Sequence, residues 1–146
     1  MKITIHSEEN VDETEIAIIC NRLTPEIEKI IEILRVMDMK LTGRKGKETY
    51  FIDIGNVLYI ESVDKKTFLY TMDAMYETGL RLYELELQLQ EAGFIRASKS
   101  CIIHLKHIAS LKADLNRRLK VTLSNGEQLL VSRQYAEELK RRLGVK

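Results

Sequence analysis

No apolar run in this chain approaches the ~20 residues that cross a membrane. Its start, MKITIHSEEN, has no apolar signal core and turns acidic at once. A chain retained in the cytoplasm is therefore expected. There is one proline, Pro25, and no low-complexity stretch, so long disordered segments are not expected. Two cysteines, Cys20 and Cys101, are too few for a disulfide framework, and both sit among apolar residues. Buried free thiols in a reduced compartment are the expectation. No phosphate-cradling glycine loop is present: TGRKGK carries Gly43 and Gly46, but no helix opens after it.

What is present fits one globular domain, or one with a small appendage. The 146 residues are 45% hydrophobic and 31% charged, enough for a core without staples. The net charge of +1 conceals an asymmetry. Residues 1–41 hold 9 acidic and 5 basic side chains, net −4, and residues 96–146 hold 4 and 12, net +8. A basic final third in a neutral chain suits phosphate, although a solvated face gives the same count.

Periodicity divides the chain near residue 41. KITIH alternates and TEIAIIC is β-branched, so both read as strands around an acidic turn. In TPEIEKIIEILRVM, Thr24 can cap and Pro25 suits the first helical position. Ile27, Ile30, Ile31 and Leu34 then share one helical face. Residues 1–41 are thus expected to form a β-β-α extension, regulatory or self-associating, which alternatively covers a sheet of its own chain. Residues 42–146 read as a mostly antiparallel β domain with two short helices. KLTGRKGKETYFIDI is a hairpin, VDKK and SNG are turn signals, and LRLYELELQLQEAG is read as a helix that leaves Leu87 partly exposed. RQYAEELKRRLG is the terminal helix.

The chemistry-bearing residues are few. Cys101, His104 and His107 are three apart, a spacing that would gather soft ligands on a helix. The segment reads as extended, which spreads them, so a packed cysteine with surface histidines is preferred and no metal or cofactor is implied. A Cys–His nucleophile lacks an orienting third group and an oxyanion turn. Asp53 and Glu61 read as partners for Lys or Arg across strands. No catalytic residue is assigned, and an enzyme is not expected. More informative are three loops, ESVDKKT, RASKSC and VSRQY, which place cations among small polar residues at strand ends.

VLYIES from Val57, FIRASKSCIIHLKHI from Phe94 and LSNGEQLLVSRQY from Leu123 resemble the LytTR DNA-binding domain of bacterial transcription regulators, in order and in spacing, across residues 42–146. Ser98 stands where the family usually has His, and His104 where it usually has Asn. The resemblance implies an elongated arrangement of three small antiparallel sheets whose loops enter successive major grooves of double-stranded DNA. By motif match Lys65, Lys66 and Thr67 form the first loop. Lys99 is the base reader of the second, with Ser98 and Ser100 on phosphates, and Arg133 with Gln134 forms the third. Glu61 and Arg96 are expected to pair and brace two loops. Some 41 preceding residues are too few for a receiver domain. A homodimer on DNA and a membrane protein that restrains the regulator are the implied partners. The reading from another class is a protein-interaction adaptor on the same scaffold, which would not need cationic Lys66, Lys99 and Arg133.

Overall fold

The computed structural model describes all 146 residues. Helix α1 covers Pro25–Met37. Thr24 caps it by accepting a 3.3 Å hydrogen bond from the Ile27 N–H, and Pro25 takes the first turn. Strands β1 (Lys40–Lys45), β2 (Glu48–Asp53), β3 (Tyr59–Val63), β4 (Lys66–Tyr70) and β5 (Met75–Thr78) follow. Helix α2 (Leu82–Leu89) then leads to β6 (Phe94–Ser98) and β7 (Cys101–His104). Strands β8 (Ile108–Ala113), β9 (Leu119–Leu123) and β10 (Gln128–Val131) precede helix α3 (Arg133–Leu143).

All pairings are antiparallel. One sheet has the order β2-β1-β5-β4-β3-β7-β6, the other β10-β9-β8. The family resemblance implies three sheets; the difference lies at one bridge. The β1–β2 hairpin joins β5 only through Arg44 and Glu77. Gly43 permits it, since a Cβ there would stand 2.7 Å from Tyr76 Cβ and 2.9 Å from Ile52 Cδ1.

Two cores lie on opposite faces of the larger sheet. Leu41, Ile60, Leu69, Phe94 and Ile102 pack beneath Leu82, Leu85 and Leu89 of α2. Tyr59, Ile95, Ala97, Cys101 and Ile103 point the other way, against Leu119, Val121, Leu123, Val131, Ala136 and Leu139. Strands β3, β6 and β7 therefore bury alternate residues on both faces, which explains their nearly unbroken apolar runs. Each fully buried Leu or Ile contributes roughly 1.5–3 kcal/mol. Leu87, on the outer face of α2, is exposed as its spacing predicts.

Four expectations need correction. Lys2–His6 and Thr14–Cys20 form no strands. Residues 1–23 make one backbone hydrogen bond among themselves, from the Val11 N–H to the Glu8 carbonyl. Propensity supplies β-branched residues, but a strand exists only against an edge, and no edge of either sheet takes these segments. Cys20, within that arm, is exposed rather than buried, whereas Cys101 is buried. His104 is no surface histidine: it is 4% exposed and stacks on Phe94 at 4.0 Å between centroids. Finally, Arg96 pairs with Glu86 of α2 (3.0 Å), while Glu61 accepts only a long bond from the Tyr70 hydroxyl (3.5 Å). Asp53 does find a cation across strands, Lys40 at 4.0 Å.

His104 gives the fold a pH dependence. Its Nδ1–H donates to the Val57 carbonyl at 2.9 Å. Burial holds its pKa below the ordinary imidazole value, an effect that the Val57 carbonyl partly offsets. The unfolded chain then binds the extra proton at a higher pH than the folded one. Stability is full above the unfolded value of about 6.5 and is lost as pH falls through the folded pKa. Urea titrations between pH 7.5 and 5 should show this loss for the wild type and a smaller one for His104→Asn. Equal pH slopes for the two would remove His104 as the source.

Candidate nucleic-acid interface

The strand register brings the predicted loops to one edge. Val63 and Lys66 close the β3–β4 turn, whose two tip residues are Asp64 and Lys65. Glu61 pairs with Cys101, and the Ser62 N–H donates to the Ser100 carbonyl at 2.8 Å, so the β6–β7 tip lies beside it. The Ser132 N–H donates to the Ala97 carbonyl at 2.9 Å, which ties the start of α3 to the same tip. Lys65, Lys66, Lys99, Ser100, Arg133 and Gln134 are exposed there, and Ser98 is half-buried. Thr67 is not part of the surface: it is 6% exposed, paired between Ser62 and Thr78 inside the sheet. One residue past a hairpin tip, alternation turns the side chain inward.

The middle tip is held from three directions. Ser98 Oγ accepts from the Ser100 N–H at 3.2 Å, a local turn in place of ladder bonds. The register slips between Arg96 and Ser98, so the strand ends in a bulge. Arg96 Nη1 donates to the Lys99 carbonyl at 2.7 Å, while its Nε and Nη2 bond Glu86 Oε1 at 3.2 and 3.0 Å. Arg96 thus fixes the Lys99 backbone to helix α2. Lys99's ammonium has no acidic partner, nor do the cations of Lys65, Lys66 and Arg133.

A fourth turn reaches this edge and was missed in the sequence. Leu119 pairs with both Ala113 and Val131, so the β8–β9 turn, Asp114–Arg118, lies at the end where β10 hands over to α3. Arg117 and Arg118 are in it, Arg117 exposed and unpaired. The four non-glycine residues with positive φ are Asp64, Lys65, Asn116 and Arg117, all in the two outer turns of this edge. The turns at the opposite ends of the hairpins, β1–β2 and β9–β10, use Gly46 and Gly126 at φ +63° and +89°. Left-handed backbone costs a non-glycine residue roughly 1–2 kcal/mol. The cationic edge keeps side chains where glycine would be more stable, a pattern of functional surfaces. The signal in the sequence is DLNRR between two alternating strands, where the turn is longer than needed and carries two arginines.

The remaining candidates do not assemble a reactive centre. Cys101 is buried in β7, and burial, with the carboxylate of Glu61 nearby, pushes its thiol up to about 12. It is protonated at neutral pH and is no nucleophile. The His107 Nε2–H donates to the Gly55 carbonyl at 2.7 Å, which leaves Nδ1 to accept from Ser124 Oγ at 3.3 Å. Both histidines thus serve as struts between backbone segments.

Coupling through Arg96 can be measured. With Glu86 half-exposed, the Arg96–Glu86 pair should show an interaction of about 0.2–1 kcal/mol in a double-mutant cycle. Pairing Arg96 with Glu61 instead should give additive losses. Arg96→Gln should also speed exchange of the Ser100 amide; unchanged exchange would mean that the tip is held without it.

The fold that carries this edge is similar to that of a known domain. The family model described as the LytTr DNA-binding domain matches residues 47–144. The LytTr DNA-binding domain of a response regulator from Bacillus cereus superimposes with a TM-score of 0.69 at 27% identity, over 73% of this chain and 97% of that one. Staphylococcus aureus proteins named as HTH-type transcriptional regulators match across 99% of both chains: 29% identity in strain NCTC 8325 / PS 47, 30% in strain bovine RF122/ET3-1. In this chain no two helices are joined by a short turn, since α1, α2 and α3 are separated by strands. By the match of the family model over two-thirds of its length, this chain belongs to the LytTR DNA-binding domain family.

Proposed function

We propose that the chain is a sequence-specific transcriptional regulator that sets the loops of this edge into successive major grooves of duplex DNA, two copies to a site. The observation that carries the reading is the edge itself. Lys65, Lys66, Lys99, Arg117 and Arg133 converge on it, none has an acidic partner, and two of them occupy strained backbone. A cation held free and aimed outward on a fixed backbone gains most from a polyanion. The amino end of α3, next to Arg133, adds the positive end of a helix dipole.

The loops divide the work. Arg133 stands at the first turn of an 11-residue helix, with β10 ending two residues before it, so its Cα is fixed on both sides. A guanidinium on such a base suits the paired acceptors of guanine. Lys99 has a comparably fixed backbone and reads from the middle tip. Lys65, Lys66 and Arg117 lie on hairpin turns and serve phosphates. Ser98 is engaged with Ser100, so its part is to shape the tip more than to contact DNA. Two copies are proposed because one small edge reads few base pairs, and linking two raises effective concentration. Half-sites spaced about one helical turn apart follow from placing both on one side of the duplex.

Arg133→Ala should cost about 1–3 kcal/mol on the preferred duplex and much less on scrambled DNA. Lys66→Ala should weaken both alike and reduce the salt slope by roughly one. Binding isotherms at several salt concentrations decide it; equal losses on both duplexes for Arg133→Ala would remove it as a base reader. Lys65→Gly separates stability from binding. It relieves the φ of +67° and should raise the fold's stability by about 0.5–1 kcal/mol while lowering affinity. A variant that is stabilised and binds as before would show that Lys65 does not touch DNA.

A further inference from the structure

The largest feature that the DNA edge does not account for is the amino-terminal arm. Ile3, Ile5, Ile16 and Ile19 are 80%, 84%, 64% and 97% exposed. The backbones of their two segments have no strand partner. Helix α1 has no fully buried residue, and the face formed by Ile27, Ile30, Ile31 and Leu34 is half-buried. Single exposed apolar side chains are ordinary, but four isoleucines in two segments whose backbones have no partner are not.

We propose that the segments Lys2–His6 and Thr14–Cys20, together with the half-buried apolar face of α1, form a dimerisation element, and that its cover is the same element of a second copy. The chain's own body is not the cover. Helix α1 leans on Gln90–Ala92, and Val36 and Met39 at its end join the core beneath α2, which anchors the helix and leaves the arm outside. A lipid surface does not suit it: residues 1–41 are net −4, and anionic membranes repel such a segment. A two-fold interface must be complementary to itself. Laid antiparallel on its copy about Thr4, the first segment sets Ile3 opposite Ile5 on one face, with Lys2 opposite His6. About Ala17, the second sets Ile16 opposite Ile18. Of the acids of the arm, Glu8, Glu9, Asp12 and Glu13 lie in the link between the segments, and Glu15 falls opposite Ile19 on the face away from Ile16 and Ile18. Size agrees as well. A stable interface takes about 20–30 residues from each partner, a number that the two segments and α1 reach together and neither segment reaches alone. The matches to the Staphylococcus aureus proteins span the arm too, while the DNA-binding model begins only at residue 47.

The proposal deepens the reading of two copies per site, and its test separates the two. Sedimentation of the full chain without DNA should give a two-copy mass at micromolar concentration. The pair Ile5→Glu and Ile16→Glu should weaken association at least 100-fold, with a native far-ultraviolet spectrum. Alkylation of Cys20, exposed in the single copy, should slow as concentration rises in the wild type and not in the variant. On duplex selected from random DNA, the variant should keep its affinity for one half-site and lose cooperative filling of two. A wild type that sediments as one copy throughout, or a variant that remains paired, overturns the proposal and leaves the arm to another protein, a membrane-bound regulator among them. A paired wild type that binds no duplex overturns the DNA reading alone.

Discussion

The architecture depends on one constraint: the β6–β7 hairpin is buried on both faces. Ile102 and Phe94 go under α2, while Ile95, Ala97, Cys101 and Ile103 go under the small sheet and α3. A hairpin with no free face can carry charge only where it turns. Ser98-Lys99-Ser100 is that turn, and the layers on both sides fix its position. The adjoining strand β3 is buried in the same two directions through Tyr59 and Ile60, so its turn projects beside the first. The link between the sheets adds the third element: the Ala97 carbonyl, one residue from the tip, receives the Ser132 N–H and seats the start of α3 there. At the far end the Tyr59 hydroxyl donates to Glu127 at 2.6 Å, closing the small sheet over the large one.

From this follows a division between the two ends of the hairpins. At one end, glycines satisfy positive φ at Gly46 and Gly126 and the turns are undemanding. At the other, Lys65 and Arg117 hold the same conformation with side chains attached. The strain they add is of order 1 kcal/mol each, a fraction of the roughly 1.5–3 kcal/mol that each buried core residue returns. A core closed on two faces can tolerate it. Arg96 belongs to the same arrangement: with its guanidinium mostly shielded, it bonds Glu86 and the Lys99 carbonyl together, and so couples helix position to tip geometry.

Much of this was legible in the sequence. The strand composition of VLYIES and the apolar run of CIIHL, the helical spacing of Leu82, Leu85 and Leu89, and the turn signals VDKK and SNG each arise from local physics, which the fold obeys. What was not legible depends on partners distant in sequence. KITIH and TEIAIIC have strand composition, yet strand pairing is a property of two segments, and within one chain the second is missing. Arg96 has acidic candidates on β3 and on α2; the choice of Glu86 follows from how α2 lies across the sheet, which no spacing reveals. The motif match groups Thr67 with the turn, but the register closes the tip at Lys66, and the next side chain points inward. The turn that holds Arg117 matches no motif; only the pairing of Leu119 with both neighbours brings it to the edge.

The helices are poor candidates to read a groove themselves. Leu82, Leu85 and Leu89 fasten α2 to the sheet, and Ala136 and Leu139 do the same for α3. The outer side of α3 is engaged in the Glu138–Arg141 and Glu137–Lys140 pairs. Turns at a sheet edge offer what a helix face would otherwise provide, namely side chains at fixed intervals. In the order β4-β3-β7-β6 the first two tips are centred two strands apart. At about 4.8 Å per strand that is roughly 10 Å, comparable with the ~12 Å width of a major groove. Arg133 adds to this row beside β6, where the Ser132 N–H meets the Ala97 carbonyl. A row of this kind suits the proposed contact with more than one groove, and on that proposal the sheet twist that rotates each strand against the next would let the tips follow the helix instead of leaving it.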